Sequence, residues 1–108
     1  MIIAVDFDGT LCGEIYPEVG KPNMQLIDAL IKRRMAGDKL ILWTCREGEP
    51  LEKAVNWCNR LGLYFDAVND NLPETIEMWG NNSRKITADL YIDDRSEKPW
   101  AELLRKVG

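Results

Sequence analysis

Apolar positions along this chain alternate between short unbroken runs and longer periodic stretches. Residues 1–5 form the first run, a strand buried on both faces. Over 23–36, Met24, Ile27, Leu30 and Ile31 recur at helical spacing, with Pro22 before the stretch and Gly37 after it. A second buried run follows at 40–43. From Pro50, the residues Leu51, Ala54, Val55, Cys58 and Leu61 make one helical stripe, closed by Gly62. Residues 64–68 predict a third strand, 73–79 a helical turn or two, and 88–92 a fourth strand. Pro99 opens a last helix with Trp100, Leu103, Leu104 and Val107 inside.

Strands alternating with helices predict a Rossmann-like α/β/α domain with a mainly parallel sheet. With no repeat and no linker, residues 1–108 form a single domain. Ligands of such sheets bind outside the carboxyl ends of the strands, so the residues there matter most. The first strand ends in Asp6-Phe7-Asp8, the second in Trp43-Thr44-Cys45-Arg46, the fourth in Asp93-Asp94-Arg95. In a parallel sheet these endings share one edge. Three or four carboxylates gathered there repel one another unless a hard divalent cation joins them, and Mg²⁺ suits an all-oxygen set that keeps several waters. A lone aspartate at a strand end is ordinarily a turn former or helix cap. Two acid pairs after two apolar strands, with a threonine between, are a different pattern.

Composition narrows the chemistry. The chain has no histidine, which excludes a Ser-His-Asp triad, a Cys-His pair and a histidine-bearing zinc site. A net charge of −4 disfavours binding to long nucleic acids. No stretch reaches the roughly 20 apolar residues of a membrane span, and the first residues lack the pattern of a signal peptide. Cys12, Cys45 and Cys58 are odd in number and form no CxxC pair, which fits a reduced, cytoplasmic setting.

"DFDGT" after an apolar strand, then "ILWTCR" and "KITADLYIDD", resemble the motifs of the haloacid dehalogenase superfamily of phosphatases. The resemblance spans Asp6 to Asp94. It implies an Mg²⁺-dependent phosphomonoester hydrolase with an aspartyl-phosphate intermediate: Asp6 the nucleophile, Asp8 the general acid and base. It also implies that Thr44 holds the phosphoryl group, that Asp93 or Asp94 completes the metal site with Asp6 and Asp8, and that Lys85 is the motif lysine.

Physical chemistry bears on each role. A carboxylate can attack phosphorus once its charge is masked. Acting as an acid, Asp8 needs its proton, which neighbouring acids and burial would favour. Gly9 permits a sharp exit from the strand, and Thr10 reads as a local cap. Arg46 is placed to clamp a phosphate or carboxylate, or else to sit solvated at the surface. Lys85 lies eight positions before Asp93. An extended strand over that interval would carry it well over ~15 Å from the site, leaving Arg46 or Arg95 to supply a cation. A sharp turn near Thr87 would bring it back.

Members of this superfamily often carry a cap domain; here 11–21 is only a loop and 69–84 is short as well, so the domain reads as capless. The remedies for an open site are a macromolecular substrate, an oligomer partner, or a folding loop such as 12–19. The partner implied is a phosphorylated substrate, small or macromolecular. Trp43, Trp57, Trp79 and Trp100 read as core. Two alternatives remain: a receiver-like phospho-acceptor switch, for which Asp70 is the candidate, and a non-catalytic metal-binding module.

Overall fold

A computed structural model of the protein describes residues 1–80 and 86–93. The elements run β1 (Ile2–Val5), α1 (Met24–Met35), β2 (Lys39–Leu42), α2 (Gly48–Arg60), β3 (Ala67–Val68), α3 (Pro73–Trp79) and β4 (Leu90–Ile92). The four strands form one parallel sheet in the order β3-β2-β1-β4. This is a small Rossmann-like α/β fold, and no cap covers the sheet edge among the described residues. The helix expected from Pro99 lies outside them, as does Trp100.

The alternation of side chains along the central strands divides the core in two. Ile3, Val5, Leu40, Leu42 and Ile92 face one side, where Leu26, Ile27 and Leu30 of α1 and Ala54 and Cys58 of α2 cover them. Each such fully buried aliphatic side chain contributes roughly 1.5–3 kcal/mol of transfer free energy. Ala4 and Ile41 face the other side, against Leu72 and the partly buried Ile86 and Ala88. Met24, assigned to the α1 stripe by spacing, is exposed at the first turn; Leu26 and Ala29 are buried instead.

Caps decide where the helices stop and start. In α2 the Leu63 N–H donates to Cys58 O and the Gly62 N–H to Asn59 O, each at 3.0 Å. The same two bonds end α1, from Asp38 to Arg33 O and from Gly37 to Arg34 O. Asn23 caps the start of α1 by accepting from the Leu26 N–H. Its amide donates to Thr10 O, which fastens α1 to the turn after β1. The Thr10 hydroxyl, expected as a cap, is buried without a hydrogen-bond partner.

Two strands are shorter than the apolar runs predict. β3 is confined to Ala67–Val68, an edge strand touching only β2. β4 begins at Leu90 because residues 86–88 lie across the sheet face, where the Tyr91 hydroxyl donates to Ile86 O and accepts from the Ala88 N–H.

Candidate active site

Sheet register sets the geometry of the carboxyl edge. Val5 lies opposite Leu42 on one side and Ile92 on the other. The ladder continues one step beyond the strands: the Asp6 N–H donates to Ile92 O at 2.8 Å and the Trp43 N–H to Val5 O at 2.9 Å. Asp6, Trp43 and Asp93 therefore leave the sheet at one level, on strands about 4.8 Å apart. The chain fills the sheet outward from β1 through β2 to β3, then returns to add β4 on the other side. The reversal falls between β1 and β4, where parallel sheets open a crevice for ligands, and Asp6 and Asp93 flank it.

Phe7 explains how two acids can stand so close at this rim. It is fully buried between them, edge-on to Trp57 with ring centres 5.6 Å apart. Its burial anchors the segment, so the flanking carboxylates stay at the mouth of the sheet. The chain then turns through Gly9 (φ +79°), where a side chain would be strained. The Leu11 N–H returns to Phe7 O at 2.9 Å.

A loop rises from this turn and closes on itself. The Gly13 N–H donates to Lys21 O at 3.0 Å, and a Cβ at Gly20 would stand only 2.7 Å from Gly13 Cα. Only glycine permits that approach. The loop forms one wall of a pocket of ≈ 430 Å³ lined by Asp6, Asp8, Glu14, Tyr16, Thr44, Cys45 and Arg46. Glu14 and Tyr16 were not singled out as candidate site residues; no motif marks them, and only the closed neck carries them to the site.

Arg46 departs from both expectations for it. It is neither a solvated arginine nor a free clamp: it is 2% exposed. Its Nε and Nη2 donate to the two carboxylate oxygens of Asp8, both at 2.8 Å. Nη2 also donates to Glu18 O, and Nη1 donates to Pro17 O and Pro50 O. All five N–H groups of the guanidinium are thereby used, with none left for a phosphate in this arrangement. Its central carbon lies 4.8 Å from the Phe7 ring centre and 5.2 Å from that of Tyr16. The hydrogen bonds it donates to Asp8 hold the guanidinium even more firmly in its charged form than usual. Asp8 thus meets a cation within the acid cluster, and both its oxygens are occupied as acceptors.

Thr44 sits one residue past the Asp6 level. Its hydroxyl oxygen accepts from the Arg46 N–H at 3.1 Å, and its own N–H donates to Asn69 Oδ1 at 2.7 Å. Asn69 adopts φ +52° to make that contact, and its N–H donates to Leu42 O. The Thr44 hydroxyl proton takes no part in these bonds. Trp43, expected in the core, is 42% exposed and meets Tyr91 edge-on across the small Ala4.

Lys85 and Asp94 lie outside the described residues. Over the described residues 86–93, strand is limited to Leu90–Ile92, and the Thr87 N–H donates to Asn71 Oδ1. Asn71 is buried in the connection after β3 and was missed in the sequence; a lone asparagine in a loop carries no periodic signal. Asp70 follows the edge strand, two strands from β1.

Among the described residues, no three aspartate, glutamate or cysteine groups converge closely enough to hold a metal ion. The donors at the crevice are Asp6 and Asp93. Burial pushes the Cys12 thiol up and the Cys58 thiol up to about 12, so neither serves as a thiolate nucleophile. Among the described residues no helix is long and apolar enough to cross a membrane.

No protein-family model matches the chain, and no curated protein does. A solved structure does match: a conserved protein from Bacteroides thetaiotaomicron. The two are 40% identical, with a TM-score of 0.83, over 100% of this chain and 92% of that one. The chain belongs to that protein's family. Membership brings the whole fold with it, and no activity.

Proposed function

We propose that the protein is a magnesium-dependent phosphomonoester hydrolase of the haloacid dehalogenase type, with Asp6 as nucleophile. The observation that carries this reading is the level pairing of Asp6 with Asp93 at the strand-order reversal, beside Thr44 and an open pocket. Mg²⁺ needs one or two carboxylates and keeps the rest of its shell for water and phosphate. Asp6 and Asp93 fit that demand, and Asp94 is the next candidate along the chain. Bound there, the ion masks negative charge on an incoming phosphate.

In this reading the Asp6 carboxylate attacks phosphorus and the leaving oxygen departs with a proton; water then cleaves the acyl phosphate. Thr44 offers its hydroxyl proton to a phosphoryl oxygen. Asp8, two residues on, gives the proton to the leaving group and takes one from water, and doing so requires it to loosen its hold on Arg46. Substrates are phosphate monoesters in a reducing, cytoplasmic setting. The receiver-like alternative has less support, because Asp70 follows the edge strand and the acid pair follows β1.

A panel of phosphoesters assayed with and without Mg²⁺ tests the activity. A phosphate-mimicking fluoride complex, mapped by mass spectrometry, tests the nucleophile. Modification at Asp6 is the expected result; modification at Asp70 makes the protein a switch.

A further inference from the structure

The buried guanidinium of Arg46 ties together four segments that the sequence keeps apart. Asp8 belongs to the exit of β1, Pro17 and Glu18 to the pocket-wall loop, Arg46 to the exit of β2, and Pro50 to the first turn of α2. Phe7 from the core and Tyr16 from the loop both lie against it. Outside this hub, the loop has one further ion pair among the described residues, an exposed one, Lys53 with Glu18 at 3.2 Å. Exposed pairs hold little, whereas a fully engaged buried arginine holds a great deal, because any lost partner leaves an unpaired donor.

We infer that Arg46 is a positioning residue that sets the Asp8 carboxylate and the 13–20 pocket wall as a single unit. The catalytic part of this inference rests on the hydrolase reading; the mechanical part does not. When the Asp8 carboxylate is removed or displaced from Arg46, two guanidinium N–H groups lose their acceptors and the hub loosens, so the wall carrying Glu14 and Tyr16 responds to the position of Asp8. In the other direction, a ligand that presses on Tyr16 reorients Asp8.

Two measurements on the full chain test it. The first needs no activity: hydrogen exchange of the amides at 14–19 in wild type, Asp8→Asn and Arg46→Lys. Both variants should exchange this loop on the order of tenfold faster, while β1 and β2 stay protected. Asp8 is not part of the loop, so unchanged exchange in Asp8→Asn overturns the coupling. The second is a double-mutant cycle on Mg²⁺-dependent hydrolysis. Lysine keeps the charge but cannot supply the planar fork, so Arg46→Lys should lower kcat about tenfold and raise KM as the wall loosens. Combined with Asp8→Asn it should lower kcat no further, because Arg46 acts there through Asp8. Full additivity in kcat overturns the positioning role. A wild type that hydrolyses no phosphoester removes the hydrolase reading and leaves the exchange experiment to decide the coupling.

Discussion

Aspartates stand at both ends of this sheet, and they do opposite things. At the amino edge, each acid that immediately precedes a strand reaches sideways to the neighbouring strand. Asp89 Oδ2 accepts from the Ile2 N–H at 2.6 Å, and Asp66 Oδ2 from the Leu40 N–H at 2.8 Å. Asp38 pairs with the terminal ammonium of Met1 at 2.8 Å, and with Arg33. These acids satisfy donors that open the ladder, and each meets a backbone or terminal nitrogen. At the carboxyl edge the strands present carbonyls. Asp6 accepts from the next residue's N–H, Asp8 turns to Arg46, and Asp93 lies level with Asp6. The same residue type is architectural where strands begin and, in the proposed hydrolase, chemical where they end, and the direction of the peptide decides which.

That contrast can be broken from either side. The largest effect belongs to Asp6→Asn, which should reduce Mg²⁺-dependent hydrolysis of an aryl phosphate at least about a thousandfold. Thermal unfolding should move little, since the Phe7 N–H can still be met by the amide oxygen. A variant that keeps turning over the ester would make Asp6 one more structural acid. Next, Asp8→Asn should slow turnover by about 100-fold or more and let the acyl phosphate accumulate, read by burst kinetics. At the opposite edge, Asp89→Ala should leave kcat near wild type but cost about 0.5–1.5 kcal/mol in denaturant unfolding, since the exposed Ile2 N–H exchanges the carboxylate for water. Loss of activity at unchanged stability would erase the distinction between the two edges.

A smaller effect concerns pH. Burial raises the Cys58 thiol from 9.0 to about 12, so the folded protein keeps a proton that the unfolded chain gives up. The stability this supplies is complete below about pH 9 and is lost as pH climbs towards 12, at about 1.4 kcal/mol per pH unit. Cys12 acts in the same direction. Cys58→Ala should therefore flatten, without abolishing, the alkaline fall of the melting temperature. A slope identical to wild type would mean that the thiol is solvated on the way.

The element order was legible because it rests on periodicity. Ile3, Val5, Leu40 and Leu42 read as buried strand, and Ala54 and Cys58 as one helical stripe, and all are buried. The edge shared by Asp6, Thr44 and Asp93 followed from parallel pairing alone. What stayed hidden depends on contacts across long separations. Arg46 could be named from the sequence, but not the convergence on it of Asp8, Pro17 and Glu18, which lie 38, 29 and 28 residues away. Arginine is ordinarily a surface residue, and periodicity gives no sign of a buried one whose partners are mostly carbonyls. Trp43 misled for a related reason. It continues an apolar run in sequence, but the strand ends one residue before it, at the rim, where water reaches the ring.

The narrow neck between Gly13 and Lys21 has a consequence for how this scaffold can diversify. Its two stems leave the body side by side, so the intervening residues can be exchanged, or lengthened into a much larger insert, at a closure cost that grows only slowly with length. The sheet and Asp6 would stay where they are, and Asp8 too wherever the insert keeps two carbonyls on Arg46 as Pro17 and Glu18 do. If the protein is the proposed hydrolase, the breadth of compounds it accepts can then drift through that insert, while the nucleophile beneath it is inherited intact.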